Sequence, residues 1–159
     1  MQLEMEGMEV QEDISLETGE EIGTPRLYAS CSHPCCTTSP LQNRWLALHG
    51  FLDNAASYDK LAPELLKIGA SSVVCLDFAG HGKSDWRHSG VYYVVDHVAD
   101  AVYAADALKW DKFSIIGHSL GGGVAQGVAA ACPDRVLRVV SIEALSWWPQ
   151  VGASQPLHL

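Results

Sequence analysis

Ser119 sits at the centre of Gly117-His118-Ser119-Leu120-Gly121, between an apolar run, Phe113-Ser114-Ile115-Ile116, and an alanine-, valine- and glycine-rich stretch reaching Ala131. The run before it reads as a strand and the stretch after it as a helix, so the serine falls on the turn between them. Glycines two positions to either side remove the side chains that would collide with a serine on so sharp a turn. A helix beginning after Ser119 points its first N–H groups and its positive dipole end at the space in front of the hydroxyl. The chemistry this suits is attack by Ser119 on an acyl carbon, with the charge on the acyl oxygen met by backbone donors. Such a hydroxyl attacks only if a histidine takes its proton and a carboxylate fixes that histidine's tautomer. His118 is the variable residue inside the motif and does not qualify as that base.

Two further stretches stand upstream, His49-Gly50-Phe51-Leu52-Asp53-Asn54 and Leu76-Asp77-Phe78-Ala79-Gly80-His81-Gly82-Lys83-Ser84. The second ends in Gly-Lys-Ser after a strand, as a phosphate-binding loop does. That loop needs a glycine five residues before Gly82, and position 77 is Asp.

Taken together, the three stretches resemble the α/β-hydrolase superfamily, and most of all its serine-hydrolase-like proteins, over roughly residues 44–145. The resemblance implies hydrolysis of a carboxylic ester, thioester or amide through an acyl-enzyme on Ser119. It implies Phe51 and Leu120 as the backbone N–H donors to the oxyanion, with His49 and Gly50 shaping the first loop and Gly121 closing the turn. The Gly80–Ser84 loop serves there as structural support, with His81 in a packing and hydrogen-bonding role. Serine in place of aspartate disfavours epoxide and haloalkane hydrolysis, and no metal or organic cofactor is implied. The family order is serine, then acid, then histidine. Glu143, just past a strand, is a candidate acid. The histidine downstream is His158, a residue of the tail, while His33, His88 and His97 precede the serine. No complete triad can be assigned, so the alternative is a non-catalytic hydrolase-like protein without the acid and histidine.

The elements that must hold these groups follow from the hydrophobic pattern. Trp45-Leu46-Ala47-Leu48 is an apolar run suited to burial on both faces of a parallel sheet, and residues 72–78, rich in β-branched side chains, are another. Between them Tyr58, Leu61, Leu65, Leu66 and Ile68 form a helical stripe, with Pro63 near its start and Gly69 at its end. Val91, Val95, Val98, Val102 and Ala105 suggest the apolar face of the next helix, with Asp96, Asp100 and Asp106 elsewhere. Residues 112–117 lead into the serine turn, and 136–142 form a further parallel strand. Strands alternating with helices give a mostly parallel α/β sheet with flanking helices, here expected without the C-terminal strands and lid. Residues 1–43 read as an acidic arm with a strand hairpin and a Cys-rich loop, 44–145 as the hydrolase core, and 146–159 as the start of a lid or a frayed tail.

A chain of 159 residues suffices for one domain burying roughly 68–70% of its unfolded surface. Apolar content of 48%, charged content of 18% and a net charge of −9 fit a globular protein and disfavour nucleic acid or an anionic membrane as partner. A small acyl-bearing substrate fits better. The chain contains neither a spanning apolar run nor the regions of a signal peptide, which leads to the expectation of a soluble, intracellular, cytoplasmic protein. Leu157-His158-Leu159 only faintly resembles a peroxisomal address, since a small residue is missing at the third position from the end. Of five cysteines, Cys75 and Cys132 read as core residues. Cys31, Cys35 and Cys36, with His33, are too crowded for a tetrahedral metal and read as loop thiols. Residues 136–142 would present an apolar sheet edge, a place for self-association.

Overall fold

The computed structural model describes residues 12–16, 25–31, 43–88 and 90–144. They form strands β1 (Glu12–Leu16), β2 (Leu27–Cys31), β3 (Arg44–Leu48), β4 (Ser72–Asp77), β5 (Phe113–His118) and β6 (Val136–Ile142). The helices are α1 (Leu61–Lys67), α2 (Val94–Ala107) and α3 (Leu120–Ala131), and a single 3₁₀ turn, Ala55–Tyr58, precedes α1. One sheet carries all six strands in the order β1-β2-β4-β3-β5-β6. β1, β2 and β4 pair antiparallel, while β4, β3, β5 and β6 run parallel.

The central strands are buried on both faces, and their two-residue period divides them between two cores. Leu46 and Leu48 of β3, Val74 and Leu76 of β4, and Phe113 and Ile115 of β5 face one core, together with α2 and α3. Ala47, Val73, Cys75 and Ile116 face the other, with the 3₁₀ turn and Ala62 of α1. Burial pushes the Cys75 thiol up to about 12, which keeps it an inert core side chain.

Two expectations need correction. The apolar face of α2 is only partly the valine stripe: Val98 and Ala105 are buried and Val102 packs against the core, but Val91 lies before the helix, Val91 and Val95 are exposed, and His97, Asp100, Ala101 and Ala104 complete the buried face. Alanines let α2 approach α3 closely, and the buried Asp100 is neutralised by Arg87, a loop residue whose position the helical period does not reveal. Cys31 is also not a loop thiol. It closes β2 without exposed surface, and its sulfur is in a disulfide; Cys35 and Cys36 lie outside the described residues.

β6 pairs with β5 on one side and is the last strand of the described sheet on the other. Leu137 (49%), Val139 (37%), Val140 (40%) and Ile142 (38%) stay exposed along it. No described helix is long and apolar enough to cross a membrane.

Candidate active site

At the end of β5 the chain reverses into α3 through Ser119, whose φ of 51° and ψ of −112° lie outside the wells that L-residues favour. The Ser119 N–H donates to the Ile142 carbonyl at 2.9 Å, and the Ser119 carbonyl accepts from Gly122 and Gly123 at 3.1 and 3.2 Å. Backbone therefore holds the turn on both sides. The two motif glycines are required by contact rather than by dihedral. A Cβ on Gly117 would lie 2.2 Å from the Gly121 carbonyl oxygen, and one on Gly121 would lie 2.0 Å from that of Leu48. The ends of β3 and β5 and the start of α3 thus meet at a spacing that only bare backbone permits.

The His49-Gly50 loop at the end of β3 lies against this turn: a Cβ on Gly50 would stand 3.6 Å from Ser119 Cβ and 3.1 Å from His118 Nδ1. His49 is fully buried. Its Nδ1 is 2.8 Å from the Gly50 carbonyl, and its Nε2 is 3.2 Å from the Phe78 N–H. A carbonyl only accepts and an amide only donates, so the proton is on Nδ1 and the lone pair on Nε2. Burial holds this imidazole below its ordinary pKa, so it stays neutral with both nitrogens committed. His49 is a positioning residue that pins the Gly50 peptide ahead of Phe51. Neither Phe51 nor Leu120 has a hydrogen-bond acceptor for its N–H among the described residues.

The Gly80–Ser84 loop is anchored from below. The Asp77 carboxylate accepts from the Ala55 N–H at 2.7 Å and the Lys83 N–H at 2.9 Å, while Ser84 Oγ donates to the Asp77 carbonyl at 2.6 Å and accepts from the Tyr28 N–H at 2.9 Å. Gly82, at φ +51°, is where a Cβ would strike that carboxylate. With a carboxylate filling the loop, phosphate is excluded there by charge as well as by spacing.

Ser119 and Leu120 open onto a cavity of about 490 Å³. Phe51, Leu52, Trp86, Tyr92 and Tyr93 line it, and so do His81 and His97. His97, 4% exposed, packs against Phe78 (ring centroids 4.7 Å apart) and stacks beside Tyr92 (6.1 Å, 14°). Its Nδ1 faces Asp100 Oδ2 at 3.4 Å, and the other Asp100 oxygen pairs with Arg87. No hydrogen bond joins Ser119 Oγ to either imidazole.

The structure therefore gathers Ser119, His49, Gly50, Phe51, Leu120 and Gly121 in one place. Glu143 is not with them. It lies exposed after β6 at φ 48°, does not line the cavity and makes no hydrogen bond or ion pair among the described residues. His88 is exposed in the loop before α2, and His33 and His158 lie outside the described residues. Sequence reasoning missed the cavity roles of His81 and His97; a histidine and an aspartate three apart in a helix, His97 and Asp100, were the available signal. No group of three or more His, Cys, Asp or Glu residues that could hold a metal occurs among the described residues.

A parallel-centred sheet in this order, with a strained serine between β5 and α3 and the β3 loop beside it, defines the class. The sequence model for the alpha/beta hydrolase fold matches residues 46–157, and the chain belongs to that family. Within it, a serine hydrolase-like protein of Dictyostelium discoideum is 42% identical over 102 residues, which is 63% of this chain and 28% of that protein. A human serine hydrolase-like protein is 40% identical over 99 residues, 62% of this chain and 48% of that one. Among solved structures, a hypothetical protein of Pseudomonas aeruginosa PAO1 superposes with a TM-score of 0.71 at 35% identity, covering 90% of this chain and 46% of its own. The chain thus spans less than half the length of these relatives.

Proposed function

We propose that this chain carries the nucleophile and oxyanion donors of a serine hydrolase acting on a carboxylic ester, thioester or amide. The observation that supports it best is Ser119, held at φ 51° on a backbone-locked turn and open to an apolar cavity beside the unused Phe51 and Leu120 N–H groups. Ser119 Oγ adds to the acyl carbon as its proton leaves to a base, and the carbonyl oxygen takes the negative charge. The two N–H groups receive it; losing one such donor costs about 3 kcal/mol of barrier. The leaving group departs with a proton, and water then releases the acid from Ser119. A fluorophosphonate probe tests this directly. Labelling that is lost in Ser119→Ala and rises with pH through neutrality is the expected result, and no labelling at pH 8 would remove catalysis by this chain.

A second reading, a binding protein without catalysis, is favoured by one observation: the two histidines that line the cavity make no hydrogen bond to Ser119 Oγ. The same probe decides between the two. We further propose that the exposed β6 edge supports self-association, since it leaves apolar side chains and strand hydrogen-bonding groups uncovered. Concentration-dependent size-exclusion behaviour that Val139→Lys suppresses is expected; a monomer at all concentrations refutes it.

A further inference from the structure

His81 and His97 share more than a place in the Ser119 cavity. His81 Nδ1 lies 3.2 Å from the Ala79 carbonyl oxygen. A carbonyl only accepts, so the proton is on Nδ1 and the lone pair on Nε2. His97 Nδ1 is sealed from solvent 3.4 Å from Asp100 Oδ2, and neither atom has a hydrogen-bond partner among the described residues. A lone pair there would face a carboxylate oxygen, so the charge of Asp100 favours the tautomer with the proton on Nδ1. The other Asp100 oxygen is paired with Arg87. Both rings are left with Nε2 as an acceptor. Neither Nε2 has a protein partner among the described residues, and neither is sealed, while both rings line the cavity. The ring centroids are 5.9 Å apart at 73° to one another. Phe78 and Tyr92 both pack against the His97 ring.

The rest of the lining is mainly apolar, with the aromatic rings of Phe51, Trp86 and Tyr93 among Leu52, Val94 and Leu120. A flat apolar ring would be received well by those walls. If it brought no donors, it would strip solvent from two acceptors and leave them unpaired, a loss that sites built for hydrogen bonds use to reject analogues.

We propose that the cavity selects an aromatic group bearing hydroxyl donors, one for Nε2 of His81 and one for Nε2 of His97. The proposal rests on the reading of this cavity as the acyl site, and it makes the two histidines specificity-determining residues rather than bases.

Binding to the Ser119→Ala protein tests it without any turnover. The probes are the methyl esters of 3,4-dihydroxyphenylacetate, 4-hydroxyphenylacetate and 3,4-dimethylphenylacetate, followed by ligand-observed NMR and calorimetry. Affinity should rise about tenfold with each hydroxyl, as expected for pairing an otherwise stranded acceptor. His97→Phe and His81→Phe should each erase one step of the hydroxyl preference, read within each variant as the ratio of its affinities for the three esters. His97→Gln, which keeps an acceptor, should retain part of the preference, and a cooperative melt of each variant confirms that it is folded. Equal binding of the three esters overturns the proposal. So does a preference that survives replacement of both histidines, or failure of all three esters to bind. Because Ser119 is absent from this assay, loss of the hydroxyl preference leaves the fluorophosphonate result standing, and absence of labelling leaves the binding result standing.

Discussion

Replacing Ser119 by glycine should stabilise the protein while abolishing its reactivity, and replacing it by alanine should abolish reactivity alone. The backbone at 119 has φ 51° and ψ −112°, where a residue with a Cβ is strained by about 1–3 kcal/mol. Glycine relieves most of that strain but gives back about 0.5–1 kcal/mol through the freedom it adds to the unfolded chain. The net expectation for Ser119→Gly is a gain of about 0.5–2 kcal/mol, which for a chain of this size raises Tm by about 1–8 °C. Ser119→Ala keeps the Cβ and the strain and removes only a hydroxyl without a hydrogen-bond partner, so it should stay within about 0.5 kcal/mol of the parent. Scanning calorimetry of the three proteins, with rescans for reversibility, gives the comparison, and fluorophosphonate labelling is run in parallel. If the glycine variant melts at or below the parent, or if alanine stabilises as much as glycine, then the elbow does not store strain in the way its dihedrals indicate. The alanine arm separates relief of strain from mere loss of a polar group.

Gly121→Ala puts a Cβ 2.0 Å from the Leu48 carbonyl oxygen and 2.6 Å from that of His49; backbone cannot step aside as a side chain can, so a loss of about 3 kcal/mol in urea unfolding is expected. Arg87→Ala leaves the Asp100 carboxylate buried and unbalanced and should cost about 3 kcal/mol. Arg87→Ala combined with Asp100→Asn should recover part of this, and a double variant less stable than Arg87→Ala would contradict the pairing. Burial depresses the His49 pKa below its ordinary 6.5, so below about pH 6.5 the unfolded chain binds a proton that the folded chain resists, and stability falls as pH falls toward the folded value. Urea midpoints at pH 7.5 and 5.5 should therefore drop further in the parent than in His49→Gln; equal drops would show that His49 is not the proton-linked group.

Much of the fold was legible because its signals are local or periodic. The apolar runs at 45–48 and 113–116 lie on strands buried on both faces, and residues 136–142 form the strand expected of them. The α2 face was right at Val98, Val102 and Ala105 and wrong at Val91 and Val95, because a stripe of valines at helical spacing looks like a core face whatever the neighbours are. Here the face toward α3 is built from alanines and from Asp100, and an aspartate can be buried only with a partner such as Arg87. The Cys31 reading failed for a similar reason, since cysteine-rich composition says nothing of which sulfur ends a buried strand.

By itself the sequence determined the elbow. Its constraint lies within five residues, because glycines at 117 and 121 are what a serine turn between strand and helix requires. It also determined that the upstream His-Gly loop belongs to the same architecture. The tertiary structure alone decided what stands around the serine. His49 is a positioning residue because folding sets the Phe78 N–H against its Nε2, and His97 lines the cavity with Phe78 and Tyr92 packed against its ring and Asp100 facing its Nδ1. Those outcomes depend on contacts across many residues, and a side chain's charge state and hydrogen-bonding direction are set by its neighbours in space rather than in sequence.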